Sequence, residues 1–375
     1  MSTLRTGPHD VRLVEHFERL YLQHPPIDPR SVDFTVRRPR ELQERYGAVL
    51  AYLARVELEV ERNVLELDTV LPNAPDVDRI FYRDVWAPQE ERHGVILDAV
   101  TVQIGERSAM PDLGSVSTKL KVLGVLGHLD TIQDLTPMLY YLTGMTTERS
   151  AVVAYNHLYD GLIALDETAV AETAIAPIRR QEPGHYAFYQ LSARRLWSEL
   201  SGWQRYLVRW LRSQSFAPVG ANDERQKAAF GLVLNRLDID QDLDGFAAQV
   251  IRAERELLWA HRQGLKVPSY VTRALREAVE LAALDAPATL KSGHRGAFVA
   301  RSAPRRHEQA PGRSTCWRSG RQKLWQVSSS SYEPTRSSCE RSMAHRGEGH
   351  ACNASGDATI PGRSSSGRFS TRSPS

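Results

Sequence analysis

No cysteine precedes Cys316 in this chain of 375 residues, and the only others are Cys339 and Cys352. Disulfides and thiolate metal sites therefore cannot build its body. No run of 18 or more apolar residues occurs, which excludes a membrane-spanning helix. The opening MSTLRTGPHDVRLVEHF lacks the basic start, apolar stretch and small-residue cleavage site of a secretory leader, so a soluble, cytoplasmic protein is expected. Alternation of apolar and polar residues, the mark of half-buried strands, is scarce. The body also lacks an excess of positive charge. From Gly293 to Ser375 there are 13 Arg and 1 Lys against 4 Glu and 1 Asp, a surplus of +9 in a chain whose total is +3, which leaves the body at about −6. Nothing in that body points to nucleic acid or to a membrane surface as partner.

The segment that carries the positive charge also holds 17 Ser in 83 residues and no lasting hydrophobic period, so residues 291–375 are expected to form a disordered Ser/Arg-rich tail. Residues 1–290 are expected to form one helical domain, and 41% hydrophobic residues suffice for its core. The spacing of apolar residues predicts a helix from Asp10 to the Pro25-Pro26 pair and a long one from Arg40 to Asp68. A third runs from Val77 through His93 to Val102. Further helices are read over 118–134, 136–160, 165–182, 185–213, 222–236, 240–263 and 267–285.

Within this pattern, Glu90 and His93 form a Glu-x-x-His pair, as do Glu182 and His185. Each pair follows a glutamate set in an apolar helical stretch: Glu57 lies 33 residues before Glu90, and Glu148 lies 34 before Glu182. A helix hairpin fits that length, so one unit occurs twice. In Glu-x-x-His the two side chains sit on adjacent turns of one face and reach the same metal side. Two iron ions close together need bridging carboxylates and accept imidazole, and four carboxylates with two imidazoles meet that need. One Glu per helix from two helices and a Glu-x-x-His from each of two others is the pattern of a ferritin-like four-helix bundle with a di-iron centre. An all-α fold of that kind, with additional N- and C-terminal helices, is expected.

The helix at 40–68 offers three glutamates. Glu57 shares its face with Leu50, Leu53, Ala54, Val60 and Val64, which directs it into the core. Glu59 stands among Arg55, Arg62 and Asn63 and reads as solvated. Glu61, one turn after Glu57, is the alternative ligand. Glu148 keeps company with Tyr141, Gly144, Met145, Ala151, Val152 and Tyr155. His157 reads as a packed or hydrogen-bonded helix histidine.

The segment Trp86-Ala-Pro-Gln-Glu90-Glu-Arg-His93-Gly94 resembles the Trp-x-x-Glu-Glu-x-Arg-His-Gly segment of the soluble acyl-acyl carrier protein desaturases. Thr147-Glu148-Arg149-Ser150 and Glu182-Pro-Gly-His185-Tyr-Ala-Phe-Tyr189 are similar to two further segments of that family, and residues 10 to 285 can be placed on it. The resemblance implies a di-iron centre with Glu90, His93, Glu182 and His185 as terminal or bridging ligands and Glu57 and Glu148 completing the six. It implies oxygen-dependent insertion of a cis double bond into an acyl chain held on acyl carrier protein, a ferredoxin-type electron donor and a homodimer. Arg37, Arg38, Arg40, Arg194 and Arg195 are candidates to dock the acidic carrier. Pro183 and Gly184 stand where the family has helix formers, Pro88 falls just before Glu90, and Gln181 takes the place of a residue often acidic there. These departures predict bent helices and an altered ligand orientation.

Two other functions are compatible with the same ligands: a different di-iron oxygenase such as an arylamine N-oxygenase, and a non-catalytic iron-binding protein. The N-oxygenases add a histidine four residues before the second pair, where this chain has Ile178. Ending the chain at residue 290 is expected to leave both the thermal midpoint and metal binding unchanged; loss of either would show that the Ser/Arg-rich tail belongs to the domain.

Overall fold

Helix α1 (Pro8–Gln23) stops ahead of Pro25 and Pro26, which cannot continue it. The computed structural model describes residues 8–70, 74–111, 134–217 and 223–285, and every regular element among them is helical. They all fall within one unit, Met1–Ala297. The helix expected at 118–134 up to residue 133 and the tail at 291–375 lie outside the described residues.

Two helix pairs carry the six candidate ligands. In the first, α2 (Pro39–Leu58) packs along α5 (Ala87–Gln103). In the second, α6 (Leu135–Ala164) packs along α8 (Ala176–Glu199). Each second helix is entered in the same way. The short α4 (Asp76–Ile80) leads through a π-helical turn, Phe81–Trp86, into α5. The short α7 (Thr168–Val170) leads through another, Ala171–Ile175, into α8. The Ala87 N–H donates to the Tyr82 carbonyl and the Ala176 N–H to the Ala171 carbonyl, five residues back in both cases. Pro88 and Pro177 follow immediately. A proline has no N–H for the carbonyl four residues earlier, and the widened turn absorbs that mismatch before the helix proper starts.

The helix expected from Arg40 to Asp68 is broken at Glu59 into α2 and α3 (Val60–Val70). Glu59 is 1% exposed, with its carboxylate 2.7 Å from Arg55 and 2.7 Å from Arg62. The reading of Glu59 as solvated is therefore corrected. Its arginine neighbours fold inward as counter-charges, which is what permits a buried carboxylate.

The break expected between Glu182 and His185 is also absent. Helix α8 runs through Pro183, and the chain turns later, where Ser201 and Gln204 form a reciprocal cap on α9 (Gly202–Ser215). An interior proline costs about 3 kcal/mol. Packing against α1 offsets that cost. A Cβ on Gly184 would lie 2.3 Å from Leu20 Cδ2, so the glycine lets the Leu20 side chain settle directly over it, and His16 Nε2 donates to the Gly184 carbonyl at 2.9 Å.

The remaining helices buttress this frame: α10 (Glu224–Arg236), α11 (Leu243–Val250), α12 (Arg252–Glu254), α13 (Ala260–Gln263) and α14 (Ser269–Asp285). Helix α10 lies between α14 and α2, and α11 between α14 and α6. Buried Arg212 on α9 pairs with buried Glu254 at 3.0 Å and donates to Thr146 on α6, tying these layers together. No helix among the described residues is long and apolar enough to cross a membrane. A Cβ on Gly231 would lie 1.9 Å from the Ala278 carbonyl oxygen, a backbone atom that cannot swing aside. Gly231→Ala should destabilise the protein by about 1–3 kcal/mol in urea unfolding. Gly202→Ala, which meets nothing within 4 Å, should be neutral or gain up to about 1 kcal/mol.

Candidate metal centre

Glu57 comes from α2, Glu90 and His93 from α5, Glu148 from α6, and Glu182 and His185 from α8; all six are buried. Glu57, Glu90, His93 and Glu182 present ligand atoms within 4.8 Å of one another, and so do Glu90, Glu148, Glu182 and His185. Glu90 and Glu182 belong to both groups and occupy the bridging positions. Glu57 with His93 and Glu148 with His185 occupy the two ends. Glu61, the alternative on the first helix, is exposed and belongs to neither group. His157 belongs to neither group; its Nδ1 donates to the Leu237 carbonyl at 3.0 Å, as expected of a hydrogen-bonded helix histidine.

Both imidazoles turn Nδ1 toward the carboxylates. His93 Nδ1 lies 3.3 Å from Glu90 and 3.2 Å from Glu182, and His185 Nδ1 lies 2.9 Å from Glu90, 3.7 Å from Glu182 and 3.8 Å from Glu148. His93 Nδ1, His185 Nδ1 and Glu182 Oε1 are buried with no hydrogen-bond partner. Buried polar atoms converging on one point without satisfying each other are the fit expected of a cation site. Two divalent ions would bring four carboxylates and two neutral imidazoles to zero net charge, and oxygen with imidazole donors suits iron. The residues fit a pair of metal ions.

Four further residues complete the site: Tyr155, Trp86 and Gln89, to which sequence reasoning gave no role, and Gln181, which it marked as a departure that alters ligand orientation. Tyr155 donates to Glu57 Oε1 at 2.6 Å, and Trp86 Nε1 donates to Glu148 Oε1 at 3.3 Å, so each end glutamate receives one neutral donor from the opposite helix pair. Gln89 Oε1 accepts from His185 Nε2 at 2.6 Å, and Gln181 Oε1 accepts from His93 Nε2 at 2.6 Å. A signal for the amides was present: glutamine stands directly before glutamate in both halves, so the repeat is Gln-Glu-x-x-His.

Electrostatics divides the carboxylates into two kinds. Burial, and then the charge of Glu90, pushes Glu57 and Glu148 well above the ordinary carboxylate range. Burial opposes ionisation of Glu90 as well, but the Glu57 carboxyl and the two imidazoles beside it hold it well below that range. For Glu182, burial and Glu90 are outweighed by both histidines, and its pKa falls. Against burial, the carboxylates raise His93 well above its usual value and His185 to about 9. These directions favour protons on Glu57, Glu148 and both imidazoles, which offset the charges of Glu90 and Glu182. Burial and the neighbouring Glu57 keep the Tyr155 hydroxyl protonated as a donor.

An apolar pocket of about 80 Å³ opens on the cluster, walled by side chains that include Tyr52, Leu53, Val56, Ala154, Phe230 and Phe246. Glu57, Glu90, Glu148, Glu182 and Trp86 line it; neither histidine does. The centre thus turns its carboxylates toward the cavity. Four of the arginines considered for carrier docking are engaged within the chain: Arg37 with Asp166, Arg38 with Glu41, Arg40 with Glu44 and Arg194 with Glu256. No protein-family model, curated protein or solved structure matches the chain.

Glu57→Ala should abolish binding at one end of the cluster, whereas Glu61→Ala should leave metal stoichiometry unchanged in an anaerobic ferrous titration. Metal must displace the protons the cluster holds, so loading should release about four protons per chain and affinity should rise with pH. Calorimetry in two buffers of different ionisation enthalpy counts them; release of one proton or none would contradict the protonation pattern.

Proposed function

We propose that the chain is a ferritin-like di-iron enzyme that uses dioxygen to desaturate an apolar acyl chain delivered on acyl carrier protein. The observation that carries this reading is that the cavity meeting the carboxylate face of the cluster is apolar almost throughout, as required to hold an unactivated hydrocarbon beside the centre. The likeness of the Trp86–Gly94, Thr147–Ser150 and Glu182–Tyr189 segments to the desaturases supports the same reading.

Glu57, Glu90, His93 and Glu182 would hold one iron, and Glu90, Glu148, Glu182 and His185 the other. Bound iron would supply the four-electron reduction of dioxygen to two waters, with two hydrogens taken from adjacent carbons, two electrons from a ferredoxin-type donor and two protons from solvent. The chain's own residues do the rest. Tyr52, Val56, Ala151, Ala154 and Phe230 exclude water and hold the substrate against the carboxylates. Tyr155 and Trp86 hold Glu57 and Glu148 by one hydrogen bond each, so the end carboxylates keep their orientation as charge changes. Ile178, fully buried four residues before Glu182, leaves no seventh ligand where the N-oxygenases have histidine.

The test is iron content and the optical spectrum of the oxidised chain beside the Glu182→Ala/His185→Ala variant, followed by incubation with acyl carrier thioesters, ferredoxin, its reductase and air. Two irons per chain, lost in the variant, and an acyl product lacking two hydrogens are expected. Iron uptake with no acyl product would sink the desaturase reading in favour of a storage or structural site, and oxygenation of an arylamine supplied in place of the thioester would transfer it to the N-oxygenases.

A further inference from the structure

The amides of Gln89 and Gln181 each make a second contact on the side away from the cluster. Gln89 Nε2 donates to the His24 carbonyl at 2.5 Å. Gln181 Nε2 donates to the Pro25 carbonyl at 2.8 Å and to the His24 carbonyl at 3.4 Å. Both carbonyls belong to the turn that ends α1, where the His24 N–H closes on the Leu20 carbonyl at 2.8 Å. The two halves of the molecule therefore hang their histidines from one point.

The chemistry of this chain of bonds leaves one arrangement. Backbone carbonyls can only accept, so they take the NH₂ side of each amide, and the amide oxygen is left to face the imidazole. An oxygen can only accept from the imidazole, so Nε2 carries a hydrogen in His93 and in His185. The lone pair available to a metal is then on Nδ1, which is the atom that both rings turn toward the carboxylates. A carboxylate in place of either glutamine could serve the histidine but would set its oxygens against the carbonyls of His24 and Pro25 with no hydrogen to offer. Glutamine, where the resembled family is often acidic, is thus matched to the presence of α1.

We propose that α1 is a working part of the metal centre: its terminal carbonyls, acting through Gln89 and Gln181 as positioning residues, hold His185 and His93 crosswise with Nδ1 turned inward. The inference rests on the di-iron reading for its purpose but not for its geometry. Gly184 admits Leu20, and His16 binds the Gly184 carbonyl, so α1 is seated on the same helix turn that carries Glu182 and His185.

The test uses the full chain in Gln89→Leu, Gln181→Leu, Gln89→Glu/Gln181→Glu and Gly184→Ala forms, with unfolding midpoints recorded for each. In metal-free protein carrying ¹⁵N-histidine, His93 and His185 should show Nε2–H signals that exchange slowly. Gln89→Leu should remove protection from His185 and Gln181→Leu from His93, each leaving the other in place. The double glutamate variant should keep both signals yet release α1, seen as faster tryptic cleavage at Arg12 and Arg19. Gly184→Ala should release α1 and loosen both histidines with neither amide altered. Ferrous affinity should fall about 10–100-fold in the leucine variants. Protection that survives in the leucine variants, or that is lost on the same-half histidine, would overturn the proposal. Failure of the wild-type chain to bind iron would instead overturn the di-iron reading, while the crosswise signals would still decide this one.

Discussion

Four glutamates in a water-excluded interior can coexist only if something supplies positive charge, and most features near the centre of this molecule follow from that constraint. An ionised carboxylate buried alone costs far more than a folded domain has to spare. Protons can meet the need, as the raised pKa values of Glu57, Glu148 and both histidines indicate, and so can two divalent cations. Exchange between the two fillings leaves the net charge near zero, so the cluster need not unfold to load. Tyr155, Trp86, Gln89 and Gln181 are neutral, and they can orient charged groups without adding to the balance.

The same constraint governs the backbone. Glycine appears where a helix must come close to the frame, as at Gly184 beneath Leu20 and at Gly144, where a Cβ would lie 2.3 Å from Tyr189. Proline appears where a helix begins after a wide turn. The stacked rings of Phe81 and Phe188, 3.6 Å apart, join the π-helical entry of α5 to the body of α8. The layers α10, α11 and α14 lie beyond, and α10 and α11 lend Phe230 and Phe246 to the cavity.

Much of this could be read from the chain because the site is polar where its surroundings are apolar. Glu57, Glu90, His93, Glu148, Glu182 and His185 interrupt helical faces that otherwise bury, and the structure brings all six together. The choice of Glu57 over Glu61 followed from neighbours three, four and seven residues away, and burial agrees with it. What escaped was relational. Gln181 stood out only as a departure bearing on ligand orientation, and Gln89 not at all, until the fold sets each beside the other half's histidine. Glu59 looked solvated because arginines flank it, and only tertiary packing turns those arginines inward. Pro183 promised a helix end, but the glycine beside it gave α1 a place to compensate, and the true end was marked by the Ser201–Gln204 cap.

Neither helix pair is chemically complete. Each owns two carboxylates and one imidazole at its own end, borrows its fourth ligand from the other, and aims its amide at a histidine it does not possess. Neither half alone could complete a ligand group, and the borrowing is reciprocal. Because the two halves are joined in one chain, their outer faces need not match. One face of the centre looks into a hydrocarbon-lined cavity and the other is roofed by a single helix, an asymmetry that a true dimer of identical hairpins could not have acquired.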